Sequence, residues 1–421
     1  MRTLHPIRHL RLRPPRHLSL TPHLHKPYSS SSSSSSPPLS PPPVIIESYL
    51  DFARKKFSSQ RPKHLPTVLT PDKADQLTLA LEDANPSFCQ SHDEYEDYNL
   101  LPQGYHMVYF EPKVSSYTPM LDGTDPYHFP GQPFERRMWT GGSVTFTPEY
   151  HSRMLLSDST EAECIETVNP RATQFKGEDK VFVEISRDYY VTSPPTTPSQ
   201  PESKIKVLSE TRKLVFLRPL PPPPQKPLPQ SPSSPEESSS SEPSPSSNGE
   251  VVAESMSKLE LEDKPASASV PKTTKKIKAP WNPLFSFPLT PSHQLLSLFS
   301  VLTNNAHRIH LDTRYARRVE GYKDTLVHGP LTLVLMLEGL TSYLYKSGGG
   351  SLEERKKRWV REMNYRNLAP LFRGDKMNVC GALAKTKGEN KEGKEEEWVL
   401  WIEDQEGGLA VKGNATVVSR R

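Results

Sequence analysis

The stretch from His328 to Tyr345 reads HGPLTLVLMLEGLTSYLY. Pro330 near its start suits the first turn of a helix, where backbone N–H groups have no intrahelical partner. The leucines and the valine that follow are distributed nearly all around a helical wheel, and a helix that is apolar on most faces is a buried one. We therefore predict a long buried helix from Leu331 to Tyr345.

The segments after this helix have the pattern of antiparallel strands. A β-branched and aromatic run covers Trp398 to Ile402, a Glu-Gly-Gly turn covers Glu406 to Gly408, and further apolar runs cover 409–411 and 415–418. A sheet that wraps around one buried helix covers that helix, and the helix supplies the core. This region therefore predicts an α+β fold.

The amino-terminal part of the chain has a similar mixture of elements. Helices are predicted from Val44 to Phe57 and from Pro71 to Leu81, with Pro71 in the first helical position. Short β-branched and aromatic runs predict strands over 180–185 and 213–217. Two α+β units in tandem fit these lengths, although the long helix of the first unit is less obvious.

Proline divides the chain into parts. It makes up 45 of 421 residues, about twice the average usage of about 5 %, and it is concentrated together with serine after Pro219. Such a segment buries too little apolar surface to offset the entropy of ordering. We expect a presequence and Ser/Pro-rich tether at 1–43, a first domain at 44–218, a disordered linker at 219–280 and a second domain at 281–421.

The amino end has the composition of an organellar presequence. It contains no acid before Glu47, and its cations are Arg2, Arg8, Arg11, Arg13, Arg16 and Lys26. Sequences rich in Arg and Ser and free of acids direct import into mitochondria or plastids. We expect the mitochondrial matrix, with a plastid address or a simple disordered basic tail as the alternatives.

Composition argues against several other classes. Without the cations of the amino end, the net charge of +4 becomes nearly neutral, whereas nucleic-acid binders neutralise phosphates. The cysteines, Cys89, Cys164 and Cys380, form no C-x-x-C pair, so neither a disulfide framework nor a structural zinc site is indicated. No proline-free apolar run is long enough to span a membrane.

A polar stretch, Asn305-Ala-His-Arg-Ile-His310, lies shortly before His328-Gly329. Histidine can accept and donate a proton near neutral pH. By themselves, two histidines three residues apart are more often structural than catalytic. His307, His310 and Asp312 also have the residue types of metal ligands, but nothing nearby completes a coordination sphere. We therefore expect no metal.

This stretch carries a family resemblance. The run L-T-N-N-A-H-R-I-H-L-D at 302–312, with E-G-Y at 320–322 and L-V-H-G-P-L at 326–331, resembles the MaoC-like double-hot-dog hydratases and dehydratases. Their signature is D-x-N-P-[LIV]-H, followed by H-G at the start of the central helix. The resemblance is strongest to the branch that includes mitochondrial hydroxyacyl-thioester dehydratase type 2 of fungi and mesaconyl-C4-CoA hydratases. R-M-W-T-G-G-S at 137–143 and the strand at 180–190 resemble the first domain of that branch.

The resemblance implies a tandem hot-dog fold, with an antiparallel sheet wrapped around a long buried helix in each half. It implies a (3R)-hydroxyacyl-thioester dehydratase that forms trans-2-enoyl thioesters and uses neither a metal nor a redox cofactor. Its substrates would be acyl-carrier-protein thioesters of mitochondrial fatty-acid synthesis, or coenzyme A thioesters. His310 matches the catalytic histidine, and the backbone N–H of Gly329 would bind the thioester carbonyl.

One position departs from the family pattern. Asn305 stands where the single-domain hydratases have a catalytic Asp, and an amide can orient a water molecule but cannot exchange a proton. Either His310 performs both proton transfers, or His307 or Asp312 provides the second group, with His328 as a further supporting residue.

Substrate-binding candidates are Trp139, as a pocket wall, and a basic cluster near the site. The cluster comprises Arg314, Arg317, Arg318 and Lys323, and it would meet the phosphates of coenzyme A or of a phosphopantetheine arm. The alternative interpretations are a core tryptophan and a solvated helix face.

Three other functions are compared with the dehydratase. A hydratase of short dicarboxyl-CoA esters of the mesaconyl type needs an Arg or Lys deep in the pocket for the distal carboxylate, whereas a dehydratase of growing chains needs an apolar tunnel. A non-catalytic thioester-binding protein is favoured by Asn305 and the long linker. Thioester hydrolysis lacks a carboxylate placed to support it.

Overall fold

The computed structural model describes residues 46–88, 99–113, 120–177, 179–193, 202–220, 277–347, 351, 354, 357–384 and 395–419. The predicted presequence and tether, nearly all of the predicted linker and Cys89 lie outside the described residues. The described residues belong to one compact unit, Val44–Arg421. Among them, no helix combines the length and the apolar character needed to cross a membrane.

In each half of the chain, helices and short connecting turns come mostly before a run of consecutive strands. The α-helices are α1 (Ile46–Ser59), α2 (Pro71–Ala84), α3 (Tyr150–Arg153), α4 (His293–Leu302), α5 (Arg308–Leu311), α6 (Thr313–Arg318) and α7 (Gly329–Ser347). The strands are β1 (Lys63–Val68), β2 (Arg136–Phe146), β3 (Glu161–Phe175), β4 (Lys180–Ser193), β5 (Ser203–Leu217), β6 (Phe285–Leu289), β7 (Arg358–Asn367), β8 (Met377–Leu383), β9 (Glu395–Glu403) and β10 (Leu409–Ser419). Short 3₁₀ turns lie at Tyr105–Val108 and Pro126–His128.

The strands form one antiparallel sheet in the order β1-β3-β4-β5-β2-β7-β10-β9-β8-β6. Counted outward from the central β2·β7 pair, both halves follow the order second, fifth, fourth, third, first strand. The sheet therefore repeats one topology on either side of a seam, where Gly141 pairs with Arg366 and Thr145 with Glu362. Gly141 is required at the seam, because its φ is +134° and a Cβ would lie 2.2 Å from the carbonyl oxygen of Tyr365.

The buried central helix is confirmed. Helix α7 extends slightly beyond the predicted range, and Leu331, Leu335 and Leu340 have no exposed surface. The inner faces of β7 to β10 pack in the same hydrophobic core. The predicted strands at 409–411 and 415–418 are one continuous strand, since Gly413 lets β10 pass close to the side chain of Met363.

In the described part of the amino-terminal half, helix α2 and a short 3₁₀ turn share the place in the core that one long helix takes in the other half. Helix α2 buries Ala74, Leu77 and Leu81 on one face, and the 3₁₀ turn Tyr105–Val108 is buried throughout. Both join the core that contains α7, so the α+β architecture predicted from the sequence is confirmed, with the two halves sharing one interior. Helix α1 covers a second cluster through Tyr49, Ala53 and Phe57.

Candidate active site

The segment that joins α4 to α5 sets the position of the predicted motif. After α4 the chain reverses through Asn304, whose φ is +48°; Asn is among the residues that adopt this conformation most readily. The N–H of Asn305 then donates to the carbonyl of Ser300 at 2.9 Å, and its Oδ1 accepts from the N–H of His307 at 3.2 Å. These two hydrogen bonds of Asn305 fix the loop, and the next residues form the short helix α5.

His310 lies on α5 and is 6 % exposed. Its Nδ1 donates to the carbonyl oxygen of Leu326 at 2.9 Å. That bond places the proton on Nδ1 and leaves the lone pair on Nε2. Burial lowers the pKa of His310 to about 4, against the opposing effect of the backbone hydrogen bond. The imidazole is therefore neutral at pH 7 and able to accept a proton.

His328 holds the plane of the His310 ring. The two rings stack with centroids 3.7 Å apart and planes 20° apart. Nε2 of His328 lies 2.8 Å from Oγ of Ser300, and burial, together with His310 and His307, lowers the pKa of His328 well below its usual value. A stack this close excludes a positive charge on both rings at once, because two buried cations in contact repel each other strongly.

Gly329, which begins α7, lies directly against Trp139. A Cβ on Gly329 would lie 2.6 Å from Cβ of Trp139, so only glycine fits. As the first residue of the helix, its N–H has no intrahelical acceptor. Because Gly329 has no side chain of its own, the amino end of α7 presents an N–H group and a partial positive charge that residue 329 does not cover.

These residues share one cavity of about 930 Å³. Asn305, His307, His310 and Gly329 line it from the carboxyl-terminal half. The amino-terminal half contributes Trp139, Arg137, Glu166 and Arg212. A neutral imidazole can remove a proton from the carbon next to a carbonyl. The amino end of a helix in the same cavity can stabilise the negative charge of the resulting enolate.

Other predicted site residues do not reach this cavity. Oδ1 of Asp312 accepts from the N–H of Tyr315 at the start of α6, and its Oδ2 pairs with Arg308 at 2.7 Å. The carboxylate is therefore used as a helix cap. The three arginines of α6 do not line the cavity either, because α6 turns Tyr315 and Ala316 inward. Arg314 and Arg318 are exposed, and Arg317 lies 3.4 Å from Asp324.

Sequence reasoning did not find the buried charges of the amino-terminal half. Glu166, Arg187 and Glu210 are directly paired across β3, β4 and β5 and have at most 3 % exposure. The available signal is strand alternation, because Arg187 occupies an inward position of β4 between Ile185 and Tyr189. A charge at an inward strand position needs a partner on the neighbouring strands.

Buried histidines predict acid sensitivity. Burial lowers the pKa of His106 and of His310 to about 4, and holds those of His307 and His328 well below the usual value. Between pH 6.5 and 4 the unfolded chain binds protons that the folded chain does not, so the free energy of unfolding falls as pH falls. Each histidine contributes a slope of about 1.4 kcal/mol per pH unit.

Denaturant unfolding at pH 7.5 and pH 5 tests this prediction. His106→Phe should reduce the slope by one histidine, since both ring nitrogens of His106 lack hydrogen-bond partners among the described residues. The exposed His293 provides the matched control, and His293→Ala should leave the slope unchanged. Equal stability at the two pH values would contradict the prediction.

The chain is similar in sequence to a family of dehydratases and to several named relatives. The family model described as hydroxyacyl-thioester dehydratase type 2 matches residues 104–249 and 244–373. Mesaconyl-C(4)-CoA hydratase of Chloroflexus aurantiacus is 36 % identical over 105 residues, which is 25 % of this chain and 33 % of that protein. The mitochondrial hydroxyacyl-thioester dehydratase type 2 of Saccharomyces cerevisiae is 28 % identical over 90 residues, 21 % of this chain and 28 % of that protein.

The aligned stretches thus span a third or less of the length of these relatives. Among solved structures, a MaoC-like dehydratase from Phytophthora capsici is similar with a TM-score of 0.49 and 12 % identity. That similarity covers 87 % of this chain and 97 % of the other.

Proposed function

The chain belongs to the hydroxyacyl-thioester dehydratase type 2 family, and on that premise we propose that it is a hydro-lyase interconverting (3R)-3-hydroxyacyl and trans-2-enoyl thioesters. One observation carries the proposal. The neutral His310, with its Nε2 lone pair free, lines the same cavity as the amino end of α7.

Dehydration moves one proton and one hydroxide. Nε2 of His310 takes a proton from the carbon next to the thioester carbonyl, and negative charge develops on the thioester oxygen. The N–H of Gly329 donates to that oxygen; a donor of this kind is worth about 2.7–4 kcal/mol in the transition state. The C3–O bond then breaks, and the hydroxyl takes a proton and leaves as water. Hydration is the same path in reverse, and neither direction requires an electron carrier.

Gly329→Ala tests the helix amino end. The added Cβ would overlap with Trp139 and shift the first turn of α7, so kcat should fall about 10²-fold. Gly339→Ala in the same helix is the matched control, because its Cβ would come no closer than 3.2 Å to any side chain and Gly339 does not line the cavity. Steady-state hydration of a 2-enoyl thioester measures both variants. A Gly329→Ala protein as active as Gly339→Ala would contradict the role of this turn.

The proposal also specifies the group that carries the acyl thioester and the cellular compartment. Acyl-carrier-protein thioesters of mitochondrial fatty-acid synthesis are favoured by the basic, acid-free amino end before Glu47. The names of relatives from Saccharomyces cerevisiae and Schizosaccharomyces pombe, both mitochondrial, support the same compartment.

A second candidate is hydration of short dicarboxyl-CoA esters. It is favoured by the buried guanidinium of Arg212, which lines the cavity. Nε of Arg212 is bound to Glu210 at 2.8 Å, while NH2 donates to the weak acceptor Sδ of Met107 at 3.3 Å and lies 3.8 Å from Oε1 of Glu111. A distal carboxylate would be a better acceptor for that N–H group.

The full-length protein should be assayed with a four-carbon 2-enoyl group on a carrier protein, the same group on coenzyme A, and an unsaturated dicarboxyl-CoA. The proposal predicts the fastest turnover on the carrier protein. Preference for the dicarboxyl ester, lost in Arg212→Met, would select the second candidate. No turnover on any of the three would contradict the proposed function.

A further inference from the structure

We propose that Asp122, in the amino-terminal half, is a positioning residue for His307, and that His307 is the second proton-transfer residue that Asn305 cannot be. The inference rests on the proposed function and assigns the group that protonates the departing hydroxyl. It divides the site between the two halves of the chain.

A loop of the amino-terminal half docks directly on the motif. The carbonyl of Asp122 accepts from the N–H of Arg308 at 2.9 Å. The next residue, Gly123, has a φ of +85°, and a Cβ there would lie 2.2 Å from the carbonyl oxygen of Ala306. Backbone therefore packs on backbone at this contact, which fixes Asp122 relative to His307.

The carboxylate of Asp122 is divided between two tasks. Oδ1 accepts from both the N–H and the hydroxyl of Thr124. Oδ2 is buried, has no hydrogen-bond partner among the described residues and lies 3.5 Å from Nε2 of His307. Oδ2 also lies 3.9 Å from Nε of Arg137. A buried carboxylate oxygen without a hydrogen bond destabilises the fold unless a proton donor lies close to it. Among the described residues, His307 is the nearest titratable proton donor.

This pairing determines which nitrogen of His307 is available for the reaction. A carboxylate beside Nε2 favours the tautomer with the proton on Nε2 and leaves Nδ1 as the free nitrogen. His307 lines the cavity, and its ring meets the ring of His310 edge-on at 5.6 Å. Two histidines with opposite free nitrogens thus border one space: Nε2 of His310 and Nδ1 of His307.

The electrostatic surroundings of His307 keep it neutral between turnovers. Burial lowers its pKa, and the neighbouring His310 and Arg137 act in the same direction. During dehydration, the proton that Nε2 of His310 takes from the carbon next to the carbonyl passes to Nδ1 of His307 and from there to the departing hydroxyl, so both rings end neutral and no other proton is needed. Asp122 lies 3.5 Å from His307, so it can stabilise the imidazolium during the brief time that His307 carries this proton. Asp122 acts through His307 and does not itself touch the substrate.

Four variants test the arrangement by hydration of a 2-enoyl thioester: Asp122→Asn, Asp122→Glu, His307→Gln and the double variant of Asp122→Asn with His307→Gln. Asn keeps the acceptor for Thr124 but removes the negative charge. We expect kcat to fall at least about 10-fold in Asp122→Asn with KM nearly unchanged, partial recovery in Asp122→Glu, and no further loss when Asp122→Asn is added to His307→Gln. The half-buried Asp188 on β4, which pairs with Lys206 and does not line the cavity, provides the control, and Asp188→Asn should match the wild type. A purely structural role predicts additive losses, and additive losses or an unaffected Asp122→Asn would overturn the inference.

A measurement without turnover separates this inference from the proposed function. In protein with ¹⁵N-labelled histidine and no substrate, His307 should carry its proton on Nε2, and Asp122→Asn should shift the tautomer toward Nδ1. The same tautomer in both proteins would overturn the inference even if the enzyme is active. An inactive wild type with the predicted tautomer shift would contradict only the proposed function.

Discussion

Replacing His310 with alanine is expected to lower kcat/KM for enoyl-thioester hydration by about 10²–10⁴-fold, the range typical of a general acid–base residue. The ring is held from two sides, by the carbonyl of Leu326 and by the stacked ring of His328. These two contacts hold its Nε2 in one orientation.

The comparison should use His293→Ala, which removes an exposed histidine from α4 in the same half of the chain. That variant should keep the wild-type rate. Circular dichroism and the unfolding midpoint of both variants establish that the fold persists. A folded His310→Ala protein within threefold of the wild-type rate would show that the base lies elsewhere.

Arg187→Met is expected to destabilise the protein by about 3–5 kcal/mol, because it removes the guanidinium that the buried carboxylates of Glu166 and Glu210 share. Arg187 has no exposed surface. Its Nε lies 3.1 Å from Oε2 of Glu166, and its NH1 lies 4.0 Å from Oε2 of Glu210. NH2 also donates to the carbonyl of Phe110. Methionine has a similar length but satisfies none of these acceptors.

Denaturant unfolding of Arg187→Met and Lys213→Met measures the difference. Lys213 pairs with Glu184 at 3.9 Å on the same sheet, but its side chain is 55 % exposed. Such surface pairs contribute about 0–1 kcal/mol, so Lys213→Met should remain close to the wild type. Equal destabilisation by the two variants would show that the buried charges Glu166, Arg187 and Glu210 do not stabilise the fold as a network.

Local patterns predicted the elements that depend on local physics. Helix α7 was predictable because leucines on nearly every face allow only a buried position, and β4 and β9 were predictable from β-branched and aromatic runs. Pro330 and Gly329 indicated where α7 begins. The role assigned to His310 came from the family resemblance, since its spacing to His307 alone favours a structural interpretation.

Contacts between distant segments were not predictable in this way. Asp122 and His307 belong to different predicted domains, on opposite sides of the predicted linker, and nothing in the loop around Gly123 indicates that it docks on Ala306. Similarly, Asp312 resembles a site carboxylate in the motif, yet it caps α6. The arginines of α6 were expected near the substrate, but the burial of Tyr315 and Ala316 decides which way that helix faces.

The most direct test is to incubate the full-length protein with a 2-enoyl thioester in deuterated, ¹⁸O-labelled water and to analyse the product by mass spectrometry. Addition of water across the double bond predicts an intact 3-hydroxyacyl thioester with one deuterium at C2 and one ¹⁸O at C3. A free acid labelled with ¹⁸O in its carboxylate would indicate thioester hydrolysis instead. Unchanged substrate would leave only thioester binding, and either result would contradict the assignment of this site to a hydro-lyase.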